Sequence, residues 1–452
     1  MSSERETSPT DPTALPTDPT ALPSDPTALP IDPTAAERLA AGGLRLGLVD
    51  TTDRAAFGNW LNACMRGFHA GQLSDEVHAA NLDGLAYRRT TGVWDGDQAE
   101  PVATTDSWVG ELTVPGQRTV PAWAISAVTV APTHRRRGIA RNLLEAELRT
   151  AAELGMPLAM LTVSESTIYG RFGFAPAAMV AELSIDVRRA SWTGPTAPGR
   201  VRFVSIAEFR AEAPALFETV RLASPGEIDI WGLRWDQLTG IHDDDRERVK
   251  ALRAVRYDDT AGQPRGYALY RVTGGELDFS AHRLEVEYLL AETPEAYAGL
   301  WRYLLEVDLV SEVRASLQSV DEPVRWMLSD FRAAKVSTSD HLWLRILDVR
   351  TALEARSYAA EGRHVLELVD DLGFTTGRWL VEIGNGVATV APSDDAATLA
   401  MSTNELAALY LGGVSASTLV AAGRIVEHSA GAAAALDSSF RSPRTPWLSF
   451  WF

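Results

Sequence analysis

Apolar positions along this chain follow two periods, and the places where one gives way to the other mark its architecture. Leu44, Leu46, Leu48 and Val49 read as a strand. Phe57, Trp60, Leu61, Cys64 and Phe68 then recur at helical spacing behind Thr52 and Asp53, either of which can cap a helix. Residues 106–112 and 120–130 are strand-like and are divided by Pro115 and Gly116. In the second of these Ile125, Val128 and Val130 are apolar, and Pro132 ends the run because proline cannot donate to a sheet ladder. From Ala140 the period lengthens. Ala140, Leu144 and Leu148 fall on every fourth position with Leu143 beside them, so a helix is predicted over 138–155. Residues 158–163 form a continuous apolar run suited to a buried strand beside the first. Such a strand–helix–strand unit presents ligands at the carboxyl ends of its strands.

A Ser/Thr/Gly/Pro-rich stretch over 191–199 places a domain boundary near residue 195. Beyond it the order of elements repeats. Strands are predicted over 266–272 and 284–291, followed by a helix capped by Thr293 and carrying Tyr297, Leu300, Trp301, Leu304 and Leu305. After Asp348 the pattern changes to a hairpin-like pair, 364–369 and 378–384, a strand over 386–392, and helices over 403–411, 415–423 and 430–440. The last six residues, Trp447-Leu448-Ser449-Phe450-Trp451-Phe452, are too aromatic to stand in water and should occupy a cleft. At the other end Asp-Pro-Thr-Ala recurs at Asp11, Asp18, Asp25 and Asp32, with Leu-Pro between copies. Two prolines per repeat exclude a continuous helix, so residues 1–43 are predicted to be a disordered arm without a catalytic role.

Composition narrows the function classes. A chain of 452 residues calls for two or three domains. No apolar run approaches the ~20 residues of a bilayer span, and the N-terminus lacks the apolar core of a secretory signal. Cys64 is the single cysteine, which excludes an intramolecular disulfide framework and a cysteine zinc site. A cytoplasmic protein without a membrane span is therefore expected. The net charge of −18 disfavours nucleic acid and would steer cationic partners, although acidity alone also serves solubility. His69 and His134 have no partners at metal-ligand spacing, and no Walker loop, serine-hydrolase elbow or zinc-protease motif is present, so no metal is expected.

The chemistry concentrates at the strand–helix junction. Arg135, Arg136 and Arg137 precede Gly138-Ile139-Ala140, and Arg141 follows. A helix start offers free N–H groups and a positive dipole end. Gly138 permits close approach of a phosphate, Ala140 adds little bulk, and the arginines supply countercharge. A solvated basic corner is the bland alternative. Coordination of charge, glycine and helix start favours a polyanion cradle.

Arg135-Arg136-Arg137-Gly138-Ile139-Ala140 resembles the Arg/Gln-x-x-Gly-x-Gly/Ala signature of the GCN5-related N-acetyltransferases (GNAT). The run Val-Ala-Pro-Thr-His-Arg-Arg-Arg-Gly over 130–138 resembles more narrowly the enhanced intracellular survival (Eis) acetyltransferases. The resemblance implies an α/β (α+β) fold: tandem GNAT folds, each a mixed central sheet flanked by helices, followed by a sterol-carrier-like α/β domain. The expected domains are a catalytic GNAT domain over 44–195, a degenerate GNAT-like domain over 196–347, and a sterol-carrier-like domain over 348–452. In the second copy Glu292, Pro294 and Glu295 stand where the first has its arginines, which would repel a polyphosphate.

By the same resemblance, acetyl-CoA is the co-substrate, contacted by Val128, Thr129, Val130, Arg136, Arg137, Gly138, Ile139, Ala140, Arg141, Ser164 and Glu165. Tyr169, one turn beyond the buried strand, is the expected general acid, because a phenol of pKa near ~10 is protonated at neutral pH. Its alternative is a packing role beside Phe172 and Phe174. The resemblance makes the C-terminal carboxylate, on Phe452, the proton acceptor. An α-carboxylate of pKa near ~3.5 is a weak base unless desolvation raises it. Asp75 and Glu76 are further candidates for an amine pocket, or a solvated loop. The implied activity is direct acetyl transfer, within a ternary complex, to primary amines of polycationic substrates: aminoglycoside-like antibiotics or lysine side chains. A homohexamer is implied as well. Two competing readings stand beside it, a non-catalytic acyl-CoA sensor and a lipid-carrier or scaffold protein centred on residues 350–450.

Overall fold

A computed structural model describes residues 29–452. Twelve strands build one sheet: β1 (Leu44–Leu48), β2 (Arg89–Asp95), β3 (Ala103–Val114), β4 (Arg118–Val130), β5 (Leu158–Thr162), β6 (Ala175–Asp186), β7 (Arg200–Val204), β8 (Leu252–Asp258), β9 (Pro264–Gly274), β10 (His282–Ala291), β11 (Val310–Gln318) and β12 (Ala334–Ile346). Their order is β1-β2-β3-β4-β5-β12-β6-β11-β10-β9-β8-β7. Adding six to each of β1–β5 gives β7–β11, the second half read backwards, with β12 and β6 in each other's places, so the sheet is two copies of one unit facing each other. The copies trade their last strands. β12 pairs antiparallel with β5, and β6 pairs antiparallel with β11, while β6 and β12 run antiparallel to one another at the centre. The mixed, helix-flanked sheet expected from the sequence is present twice, and the exchange makes the two copies one continuous layer.

Each copy contains a crossover. In the first, the helix Ile139–Glu153 joins β4 to β5, which lie parallel. Its buried face carries Ile139, Leu143, Leu144, Leu148 and Ala151. Glu147 is also buried there and accepts from Arg89 (3.0 Å), Ser107 Oγ (2.6 Å) and Trp123 Nε1 (3.0 Å), which satisfies its carboxylate and fastens the helix to β2, β3 and β4. In the second copy the helix Pro294–Leu305 joins β10 to the parallel β11, and Trp301 and Leu304 are fully buried beneath it.

The third unit has a five-stranded sheet of β13 (Gly362–Val369), β14 (Gly377–Gly384), β15 (Val387–Pro392), β16 (Leu399–Ser402) and β17 (Val426–Glu427). It is bolted to the large sheet through charge. Arg345 of β12 makes two 2.7 Å bonds to the Asp370 carboxylate, both residues being buried. From the helix Thr403–Leu409, Asn404 Nδ2 donates to Gly170 O and Phe174 O, each at 2.8 Å, and so grips the loop after β5.

The expectation of a disordered arm over 1–43 needs correction within the described residues. Pro33–Ala41 is a helix, capped by Asp32, which accepts from Ala35 N at 2.6 Å. The last Asp-Pro-Thr-Ala copy is not followed by Leu-Pro, so Pro33 sits at the first helical position, where its missing N–H is no loss. Asp32 also pairs with Arg149 at 2.8 Å, and Leu39 is buried against the crossover helix. The first three repeat copies lie outside the described residues. Among the described residues no helix is long and apolar enough to cross a membrane.

Candidate active site

β4 and β5 pair only over Ala122↔Leu158, Trp123↔Ala159 and Ala124↔Met160. Past Ala124, β4 continues to Val130 without β5 at its side. Its register with β3 slips between Thr104 and Asp106, and Ala127 takes φ 53°. Such a bulge bends a strand away from its neighbour. The result is a cleft whose exposed β4 backbone can pair with an extended amide chain. Gly67, at the end of the helix Arg54–Gly67, closes against it so tightly that an added Cβ would stand 2.4 Å from Thr129.

A cavity of about 560 Å³ fills the cleft and runs over the basic loop. Val128, Thr129, Val130, Arg136, Gly138, Ile139, Ala140, Arg141, Ser164, Glu165 and Tyr169 all lie on its walls, with Arg135 and His134. Gly138 occupies the position before the helix with φ 76°, and no side chain caps the helix start. The first-turn N–H groups of a fifteen-residue helix are thus free to bind an anion. A Cβ on Gly138 would meet nothing closer than 3.6 Å, so its glycine serves backbone conformation rather than space. Exposed arginines, an uncapped helix start and an open backbone edge fit a pyrophosphate joined to an amide arm.

Arg137 differs from the rest. Its guanidinium donates to Gly42 O at 2.8 Å and to Asp95 at 3.3 Å, away from the cavity. His134 Nε2 shares Asp95 at 2.9 Å. Those hydrogen bonds hold the Asp95 carboxyl below the usual range. Arg137 and His134 therefore pin the loop to β2, and Arg135, Arg136 and Arg141 line the cavity without that tether.

Tyr169 ends the short helix Ser166–Tyr169 and stacks edge-on against Phe174 at 6.3 Å. Burial, with the nearby charge of Glu165 adding to it, pushes its phenol above the ordinary tyrosine range. The same residue lines a second cavity of about 290 Å³, where Phe68, Ser126, Thr162, Trp451 and Phe452 also lie. Phe452 is held by Thr162, whose Oγ1 donates to Phe452 O at 2.6 Å, and its ring meets Trp108 edge-on at 5.6 Å. His341 donates from Nε2 to Phe450 O at 2.9 Å, which fixes the Nε2-protonated tautomer, and its ring meets Trp451 edge-on at 4.4 Å. Burial lowers the His341 pKa to about 4, so this contact is neutral. Leu448 and Phe450 are buried, whereas Trp451 remains 45% exposed.

Asp75 and Glu76 begin the helix Asp75–Leu85 rather than a loop. Glu76 is turned toward His242 (3.4 Å) and Arg246 (3.7 Å), and Asp75 lines a further cavity of about 760 Å³ that shares His69 with the first. Phe68, expected on a core face, is 51% exposed and lines the cleft instead. Thr162, His341 and Asn404 escape sequence reasoning, because each acts across more than a hundred residues of chain. Among the described residues no group of side chains is arranged to hold a metal ion.

A family model described as an acetyltransferase (GNAT) domain matches residues 49–177, and another of the same description matches 230–346. A sterol carrier protein domain model matches residues 349–449. The chain is 36% identical over 397 residues to an uncharacterized N-acetyltransferase of Streptomyces avermitilis, covering 86% of this chain and 94% of that protein. It is 38% identical over 345 residues to the N-acetyltransferase Eis of Mycobacterium bovis, covering 73% of this chain and 81% of that one. The crystal structure of Eis1 from Mycobacterium abscessus superposes with a TM-score of 0.77 at 27% identity, covering 90% of this chain and all of that one.

Proposed function

Since the chain belongs to the Eis family of GNAT N-acetyltransferases, we propose that it acetylates primary amines of polycationic substrates, aminoglycoside-like molecules or lysine side chains, by direct transfer from acetyl-CoA in a ternary complex. GNAT domains use acetyl-CoA, and the fit of the cleft to a pyrophosphate on an amide arm supports its binding here. The observation that carries the reading is the meeting of two cavities at Tyr169: one runs to the basic loop, the other to Phe452.

In this reading the substrate ammonium gives one proton to the Phe452 carboxylate, which passes it to water. The neutral nitrogen bonds to the acyl carbon as the carbon–sulfur bond breaks. Tyr169 donates its proton to the departing sulfur and regains the one shed by the new amide nitrogen. A phenol with raised pKa holds that proton across the neutral range. Asp75, on the cavity that shares His69 with the first, supplies negative charge toward the rest of a polycation. Cys64 is buried with its thiol pushed up to about 12, which supports transfer without an acyl-enzyme. Action in the cytoplasm and assembly as a homohexamer belong to the same proposal.

Purified protein with acetyl-CoA and a panel of aminoglycosides, diamines and lysine peptides should release free thiol. Extending the chain by a few residues past Phe452 should lower kcat by roughly 100-fold, in the range of a lost proton acceptor, while acetyl-CoA binding persists. Unchanged turnover with the extension would remove the carboxylate from the mechanism.

A further inference from the structure

The second copy keeps the cleft. β10 pairs with β11 only up to Val286↔Ala315, then runs on to Ala291 without β11 at its side, and its register with β9 slips between Val286 and Tyr288. These are the splay and the bulge that open the first cleft. A cavity of about 340 Å³ occupies the space, at the lower end of small-ligand sites. Phe217, Val220, Leu290 and Pro323 give it apolar walls, and Pro443, Arg444, Thr445 and Trp447 of the C-terminal tail cover one side.

Its charge is the reverse of the first cavity's. Glu227, Glu322 and Asp321 line it, and Arg444, exposed, is the one basic side chain on its walls among the described residues. Glu227 is 2% exposed, and its Oε2 has no hydrogen-bond partner among the described residues. A buried carboxyl with an unpartnered oxygen, on a residue that lines a cavity, is costly to keep without a ligand. Glu322 is also buried and accepts from the Tyr297 hydroxyl.

We propose that this second cleft binds a small organic ammonium ion, with the Glu227 carboxylate as its ion-pair partner and the apolar walls around its alkyl part. Among the described residues its carboxylates do not converge into a group that could hold a metal ion. Burial pushes the Glu227 carboxyl up to about 8, offset in part by Ser449 and Arg221. Tyr288, with Arg234 beyond it, also faces that carboxyl, and burial holds the tyrosine neutral. Binding an ammonium therefore drives a proton off Glu227 below pH 8, and affinity rises with pH toward that value.

Calorimetric titration of the full chain with pentylammonium, without acetyl-CoA, tests the site. Binding should tighten about 10-fold from pH 6 to pH 7 and release a proton, seen as a heat that differs between buffers of different ionisation enthalpy. Glu227→Gln should abolish that pH-linked event. Ser224→Lys, which places an ammonium in the cleft from half-buried Ser224, should block it with Glu227 intact. A pH-linked event that survives both variants, or a wild-type chain that binds no pentylammonium, overturns the proposal. Tyr169→Phe should leave this titration unchanged, so failure of the second cleft and failure of acetyl transfer are separable.

Discussion

The two copies show how one scaffold is kept for binding anions or denied to them by a few residues. Both splay the same pair of strands and bulge at the same place. In the first, residues 131–138 separate β4 from its helix, leaving room for three arginines and a left-handed Gly138 at an uncapped helix start. In the second, only residues 292 and 293 intervene. There Thr293 Oγ1 accepts from Ala296 N at 3.2 Å, Pro294 removes an N–H, and Glu292 is occupied with Arg265 at 2.8 Å. Of the first-turn N–H groups one is absent and one is already satisfied, and the local charge is negative. A strand–helix corner becomes a phosphate site only when its orphan donors stay orphaned.

The sharpest way to test that contrast is at Tyr169, for which the second copy has no counterpart: its segment after β11 carries Ser319, Asp321 and Glu322 on the cavity wall. Tyr169→Phe keeps the ring packed against Phe174 and removes the proton. Steady-state kinetics should show kcat down by roughly 100- to 1,000-fold, with KM for acetyl-CoA changed by less than about twofold. Because burial raises the phenol's pKa, wild-type kcat should hold through pH 9 and fall only above the ordinary tyrosine value of ~10. The variant should lose that alkaline limb. A variant with wild-type kcat would make Tyr169 a packing residue, and the first copy would then differ from the second in binding alone.

A smaller effect separates neighbours within the basic loop. Arg136 faces the cavity, whereas Arg137 is spent on Gly42 O and Asp95. Arg136→Ala should raise KM for acetyl-CoA about 10-fold, the worth of one charge-assisted contact of ~1.5 kcal/mol. Arg137→Ala should raise it far less, since the exposed pair it breaks only steadies the loop. Equal effects would mean that net charge, not placement, makes the cradle.

Much of the first cleft was legible because its signals are local. Strand, proline stop, arginines, glycine and helix period all fall within residues 124–155. The tandem order was legible for the same reason. The exchange of β6 and β12 was not, since nothing in either strand's alternation says which sheet edge it will join. Arg137 resembled its neighbours in sequence, and only the position of Asp95, on another strand, set it apart. The helix at Pro33–Ala41 was hidden by a repeat whose last copy lacks the Leu-Pro that follows the others. Glu227 gave no signal, because its burial depends on Tyr288 and on Ser449 near the end of the chain.

The smallest expected effect concerns what steadies the loop after the fifth strand of each copy. In the second copy the support is internal: Tyr297 of the crossover helix binds Glu322 and accepts from Val324 N at 3.0 Å. In the first it is borrowed from the third domain, where Asn404 alone bridges Gly170 O and Phe174 O on either side of the turn that follows Tyr169. Asn404→Ala removes two hydrogen bonds to backbone without touching the cavity. Each contributes on the order of 1 kcal/mol, and Gly170 O, on an exposed residue, can turn to water, whereas Phe174 is buried. The loop should then sample more conformations, and kcat should fall about three- to tenfold with KM for acetyl-CoA unchanged. Tyr297→Phe, its counterpart, should lower the melting temperature and leave kcat alone. If Asn404→Ala instead leaves kcat at the wild-type value, the sterol-carrier-like domain contributes nothing to catalysis through this contact, and the phenol's position is set within the first copy by Phe174 and the burial around it.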